Sequence, residues 1–113
     1  MTLLALKEAA HVSAKVFIAD SNIVRVTRYS SMAAMLNGQA AEAVLGQPDF
    51  ISSGVALTQN GMNQPNGIFV DAAGRLWVAE RGNNRVTRFD KAAAKANGAA
   101  ADGVLGQPRS VFS

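Results

Sequence analysis

Apolar positions in this chain come in short runs separated by turn residues. Ile68-Phe69-Val70 follows Gln64-Pro65-Asn66-Gly67, and Leu76-Trp77-Val78-Ala79 follows Asp71-Ala72-Ala73-Gly74. Val86-Thr87-Arg88-Phe89 follows Arg81-Gly82-Asn83-Asn84, and Val104-Leu105 closes the series. Runs of this length, rich in branched and aromatic residues and bounded by Gly, Asn and Asp, predict β-strands joined by tight turns. Three of them follow one another at hairpin distance, so the sheet they form is antiparallel. The runs do not alternate cleanly, which predicts a sheet covered on both faces. Asp90 reads as an N-cap before Lys91-Ala92-Ala93-Ala94-Lys95-Ala96, and Asn97-Gly98 as its stop, so one or two helical turns are expected between the third and fourth strands.

The pattern repeats. Val44-Leu45-Gly46-Gln47-Pro48 recurs as Val104-Leu105-Gly106-Gln107-Pro108, and Arg25-Val26-Thr27-Arg28 recurs as Arg85-Val86-Thr87-Arg88, both offset by 60. Sliding 15–53 onto 75–113 without a gap gives 17 identities in 39 positions. Internal repetition of a small antiparallel sheet is the signature of a blade architecture. The first copy repeats the insert too, with Ser30 or Ser31 as cap, Met32 to Leu36 as the turn and Asn37-Gly38 as the stop. The chain therefore divides into an aberrant segment over 1–14, a first unit with its connector over 15–60, and a second unit over 61–113. Residues 1–14 do not match the opening strand of the second copy, so the first blade is expected to lack its innermost strand. Local propensity favours helix over about 3–10, with Thr2 as cap.

The stretch Pro65-Asn66-Gly67-Ile68-Phe69-Val70-Asp71-Ala72-Ala73-Gly74-Arg75-Leu76-Trp77-Val78-Ala79-Glu80-Arg81-Gly82-Asn83-Asn84-Arg85-Val86 closely resembles the NHL repeat. Val16 to Val26 keeps the second half of that pattern, with its turn asparagines reduced to Asn22. The resemblance implies an all-β fold: a partial β-propeller of about two four-stranded antiparallel blades with short helical inserts. It marks Asp20, Arg25, Pro65, Gly67, Asp71, Gly74, Trp77, Glu80, Asn84 and Arg85 as motif residues. The 60-residue spacing exceeds the blade unit of roughly 40 residues, and the excess lies in the Ala-rich insert and the polar connector over 49–64.

Most motif residues have structural readings. Glu80 and Arg85 flank a turn and face each other across a hairpin, as do Asp20 and Arg25, and such pairs stabilise modestly. Asp71 caps the turn before Gly74. Trp77 and its counterpart Phe17 pack between neighbouring blades. Gly46-Gln47-Pro48 and Gly106-Gln107-Pro108 end the fourth strand, where a missing N–H is tolerated.

Composition narrows the function. The chain lacks cysteine, which excludes a thiolate nucleophile and any cysteine-ligated metal. It has one histidine, His11, so no Ser-His-Asp set can be placed around a second one. Carboxylates are few, and neither a metal nor another cofactor is expected. Only 17% of residues are charged, against about a quarter ordinarily, so part of the surface is expected to be covered. A single blade cannot bury its own faces, and a closed propeller takes about four to eight blades. Self-association or further blades of a larger propeller are therefore the expected partners, with a protein partner besides.

The net charge is +3 with a pI near 9.8, but the basic residues are scattered, which argues against nucleic acid. No apolar run approaches the roughly 18–20 residues that cross a bilayer, so no membrane is expected. Met1 to Leu6 is apolar but is cut short by Lys7 and Glu8 and makes a poor secretory leader. The compartment stays open, although repeats of this kind resemble those of exported bacterial proteins.

The function expected is a non-catalytic interaction module that binds a protein or small ligand through blade loops, with Arg28, Arg81, Arg85 and Arg88 as candidate contacts. Two alternatives stand beside it. One is a fragment of a lyase- or lactonase-like propeller enzyme without its metal ligands. The other is RNA binding through an arginine face.

Overall fold

A computed structural model describes residues 15–107. The first sheet is β1 (Val16–Asp20), β2 (Arg25–Tyr29) and β3 (Ala43–Leu45), in that order. The second is β4 (Pro65–Val70), β5 (Leu76–Glu80), β6 (Arg85–Phe89) and β7 (Gly103–Leu105), also in sequence order. Every pairing is antiparallel. The fold is mostly β and compatible with part of a β-propeller. Among the described residues the first sheet has three strands, one fewer than a full blade. The helix expected near 3–10 lies outside the described residues.

Turn chemistry sets the strand boundaries. Asp71 Oδ1 accepts from the N–H groups of Ala73 and Arg75, both at 3.0 Å, and Gly74 takes φ 84°, a region open to glycine, to close the β4–β5 hairpin. In the β5–β6 turn Asn84 holds the left-handed conformation at φ 53°, which asparagine tolerates. Val24 stands at the matching place in the β1–β2 turn with φ 54°, an uncommon conformation for a β-branched residue. Its side chain is buried in the core, and that burial offsets the strain. Pro65 opens the edge strand β4, where no N–H is needed, and the register shifts between Pro65 and Gly67 as at a bulge.

The inserts differ from one another. In the first, α1 (Met32–Leu36) is capped by Ser31, whose side chain accepts from Ala34 N at 3.0 Å. In the second, Asp90 does not cap a helix. Its carboxylate accepts from Arg88 Nε at 2.8 Å, Lys91 turns left-handed at φ 49°, and only a 3-10 turn forms over Ala92–Ala94.

The sheets stack face to face. Phe17, Ala19, Val26 and Leu45 of the first meet Ile68, Val70, Leu76, Val78 and Phe89 of the second, sealed by Met62 of the connector. The expectation of two covered faces holds for β1, buried along its whole length. It fails for β5 and β6, where buried and half-buried positions alternate, because among the described residues no third layer lies on the outer face of the second sheet.

Candidate functional site

The turn end of the second sheet holds an ion pair in its interior. Glu80 and Arg85 sit opposite each other in the β5–β6 register, 3.0 Å apart, and neither side chain is exposed. Glu80 Oε1 also accepts from Asn83 Nδ2 at 2.9 Å and from Asn63 N at 3.3 Å, while Oε2 accepts from the Thr87 hydroxyl at 2.8 Å. A buried carboxylate is tolerable only with such a full set of donors. Asp20 and Arg25 occupy the same register in the first sheet, where Asp20 Oδ1 accepts from the N–H groups of Asn22 and Ile23.

Both arginines reach out to the connector between the sheets. Arg25 donates to the carbonyls of Phe50, at 2.7 Å, and of Ser52. Gln47 Nε2 donates to Gly54 O at 2.8 Å, and Asn83 Nδ2 to Ala56 O at 2.8 Å. Arg85 Nη2 donates to Thr58 O at 2.7 Å and Gly61 O at 3.0 Å. Alternate carbonyls from Phe50 to Thr58 are thus held by side chains from both sheets. Gln47 follows the end of β3, as the sequence predicts, and has a further role. Its amide in fact secures the turn through Val24 O at 2.6 Å, and Gln107 does the same for Asn83 O at 2.7 Å. Recurrence of that glutamine at 60 residues is the signal that could have found it.

The four arginines offered as ligand contacts fall in different places. Arg85 is buried and committed to Glu80 and to the carbonyls of Thr58 and Gly61. Arg28 and Arg88 lie toward the opposite strand end from the turns. Arg28 Nη1 donates to Ala92 O and Lys95 O, both at 2.8 Å, and its Nε pairs with Glu42. Arg88 folds back on Asp90. Arg81 differs: no other residue of 15–107 partners its guanidinium, and its described hydrogen bonds are main-chain, its N–H to Gln64 O at 3.1 Å and its carbonyl from Asn84 N at 3.3 Å. With Ser21, Asn22, Gln64 and Asn66 it lines a polar recess of about 140 Å³ between the turns of the two sheets. One cation, two amides of asparagine, a glutamine amide and a hydroxyl make up a surface that favours an anionic or strongly accepting group.

The remaining motif residues hold the hairpin. Asp71 Oδ2 accepts from the Trp77 indole N–H at 3.0 Å and from Arg75 Nε at 2.7 Å. The Trp77 bond, reinforced by the Arg75 and Ala73 donors, holds the Asp71 carboxyl well below the usual carboxylate range. Trp77 does not share the burial of Phe17. It is half-buried on the outer face, with the guanidinium carbons of Arg75 and Arg88 at 5.9 and 6.0 Å from its ring centre. Among the described residues no cluster of three or more Asp, Glu and His side chains is placed to hold a metal. No helix of the described residues is long and apolar enough to cross a membrane.

Comparison with known proteins fixes what this hairpin-and-turn unit is. The family model for the NHL repeat matches residues 62–89, which span Met62, β4, β5, the buried pair and β6. The chain carries an NHL repeat. A 29-residue stretch is 55% identical to NHL repeat-containing protein 3 of Homo sapiens, covering 26% of this chain and 8% of that protein. The chain thus spans about 8% of the length of that curated relative. Within the NHL repeat the motif residues Pro65, Gly67, Asp71, Gly74, Glu80, Asn84 and Arg85 build the turns and the buried pair that shape the sheet.

Proposed function

We propose that the chain is a non-catalytic interaction module that binds a carboxylate-bearing segment of a partner protein at the turn end of its sheets. One observation carries this reading: Arg81 is without a charged partner among residues 15–107, in a polar recess to which both sheets contribute. The NHL repeat supports the class, a β-propeller module for protein interaction. The recess admits a single carboxylate or a group of similar size, and its walls are hydrogen-bonding rather than apolar. The arginine-face reading has less support, because Arg28 and Arg88 lie away from Arg81 and are already bonded to carbonyls and carboxylates.

The test uses a fluorescein-labelled hexa-aspartate peptide and, in parallel, a labelled single-stranded RNA oligonucleotide. The peptide is expected to bind, and Arg81→Ala to weaken it by about tenfold or more, the loss of one charge-assisted hydrogen bond of about 1.5–3 kcal/mol. Peptide binding that is indifferent to Arg81→Ala sinks the reading. Preferential RNA binding with a steep salt dependence would replace it with the nucleic-acid alternative.

A further inference from the structure

The connector between the sheets has two sides, and among the described residues only one of them is bonded. Residues 52–57 carry neither turn nor bend. Along them bonded and unbonded residues alternate. The carbonyls of Ser52, Gly54, Ala56 and Thr58 are held by Arg25, Gln47, Asn83 and Arg85, and Ala56 N–H donates to Met62 O at 2.9 Å besides. The N–H and C=O groups of Ser53, Val55 and Leu57 have no partner among the described residues. All three residues are exposed, Val55 at 59% and Leu57 at 43%, and Ile51 just before them is at 91%. Main chain anchored along one side and open along the other is a template for another strand.

Natural edges are blunted by charge, by proline or by covering. The edge of β3 is covered, since Val44 N–H donates to Asn97 Oδ1 at 3.0 Å and its carbonyl accepts from Gly98 N at 2.9 Å. The edge strand β4 opens on Pro65. The connector has neither device. No charged residue stands between Asp49 and Asp71, and no proline between Pro48 and Pro65. The same lack of charge says what fits. In a contact between identical copies a residue on the two-fold axis meets itself, so a charge there would face a like charge. Val55, at the centre of the open residues, is branched and uncharged. A two-fold axis at Val55 also sets the small Ser53 against the large Leu57 on both sides. Hydrogen-bonded pairs in antiparallel strands recur at every second residue, which is the spacing of Ser53, Val55 and Leu57. Each pair exchanges both of its N–H···O bonds, so all the open main-chain groups of these residues are used.

We propose that residues 52–57 form a pairing edge for a second copy of this chain, laid antiparallel about a two-fold axis at Val55. The pairing runs edge to edge through the connector. It adds no sheet to the stack and leaves the outer face of the second sheet as it is. Residues 52–57 are about 20 Å long when extended, and one edge of that length falls short of the roughly 800 Å² per partner that a stable complex buries. The dimer is therefore transient and depends on concentration. The Arg81 recess lies between the turns of the two sheets and takes no part, so this proposal and the Arg81 reading stand or fall separately.

The test uses the 113-residue protein. Sedimentation velocity from about 10 µM to about 1 mM is expected to show a monomer giving way to a dimer. Over the same range hydrogen exchange at the amides of Ser53, Val55 and Leu57 is expected to slow. Val55→Lys sets like charges opposite each other and should raise the dissociation constant by about tenfold or more. Because Val55 is exposed, the melting temperature of the dilute variant should stay within about 2 °C of the parent's. Val55→Glu should act in the same way. An equal mixture of the two variants should pair again, since opposite charges then meet on the axis. A protein that stays monomeric over the whole range would overturn the proposal. So would association that ignores Val55→Lys, that is lost equally with Leu105→Lys on the outer sheet face, or that the mixture does not restore. A protein that stays monomeric but binds a labelled Thr-Val-Thr-Val-Thr peptide would give the edge to a partner strand and overturn it too.

Discussion

Arg85→Met tests whether the buried pair holds the two sheets together. Methionine fills much of the same space but leaves Glu80, fully enclosed, with only the neutral donors of Asn83, Asn63 and Thr87. It also frees the carbonyls of Thr58 and Gly61. Removing one member of a buried pair costs about 3–5 kcal/mol, because the other charge stays behind uncompensated. A domain of this size has a total stability of about 5–15 kcal/mol. The variant is therefore expected to lose a large fraction of it, with a melting temperature lower by about 12–30 °C. Equilibrium urea unfolding, followed by Trp77 fluorescence and circular dichroism together, measures the loss. Adding Glu80→Gln should recover part of it, since a neutral amide leaves no stranded charge. A loss under about 1 kcal/mol, typical of a surface pair, would refute the claim that this pair is desolvated and structurally required.

Three further outcomes are expected. The carboxyl of Asp71 is depressed in the fold, so its contribution is present above the ordinary carboxylate pKa of about 3.9 and is lost as pH falls through the lower folded value. A thermal-melt series should be flat from neutral pH to about 4 and then drop, and Asp71→Asn should flatten that drop in part, because the carboxyls of Glu42 and Asp102 are depressed as well. Ser31→Ala removes the cap on α1 and should cost about 0.5–2 kcal/mol in a urea melt. Gly46→Ala should cost about 1–3 kcal/mol, since the backbone there has φ 89° and an added methyl would meet Met62 Sδ at 2.6 Å. A neutral result would mean that Met62 can move aside.

The strands were legible because their bounding residues have one strong meaning each: Asp71 with Gly74, and Asn83 with Asn84. The first insert was legible for the same reason, with Ser31 before Met32–Leu36. The second insert was legible in part: a single helical turn forms over Ala92–Ala94, but as 3-10 and without the Asp90 cap that the sequence suggests. The winning interaction was tertiary: Arg88 claims the Asp90 carboxylate, and the chain turns left-handed at Lys91. That Glu80 faces Arg85 followed from hairpin spacing, but its complete burial did not. The carbonyls that share Arg85 lie 24 and 27 residues away in a connector with no periodic pattern. Trp77 and Phe17 occupy equivalent positions yet differ in burial, because exposure depends on what stacks above and not on the residue.

The connector has one more consequence. Long irregular links between repeats ordinarily tolerate insertions and deletions of any length. This one is gripped at the carbonyls of Phe50, Ser52, Gly54, Ala56 and Thr58, a spacing of two residues. Losing or gaining one residue between Ser52 and Thr58 sets a neighbouring carbonyl before each later donor, as a one-residue slip does in a strand. A change of two residues restores the phase. Length variation in this link should therefore follow parity, with even changes tolerated and odd ones selected against, although nothing in its sequence looks like a strand.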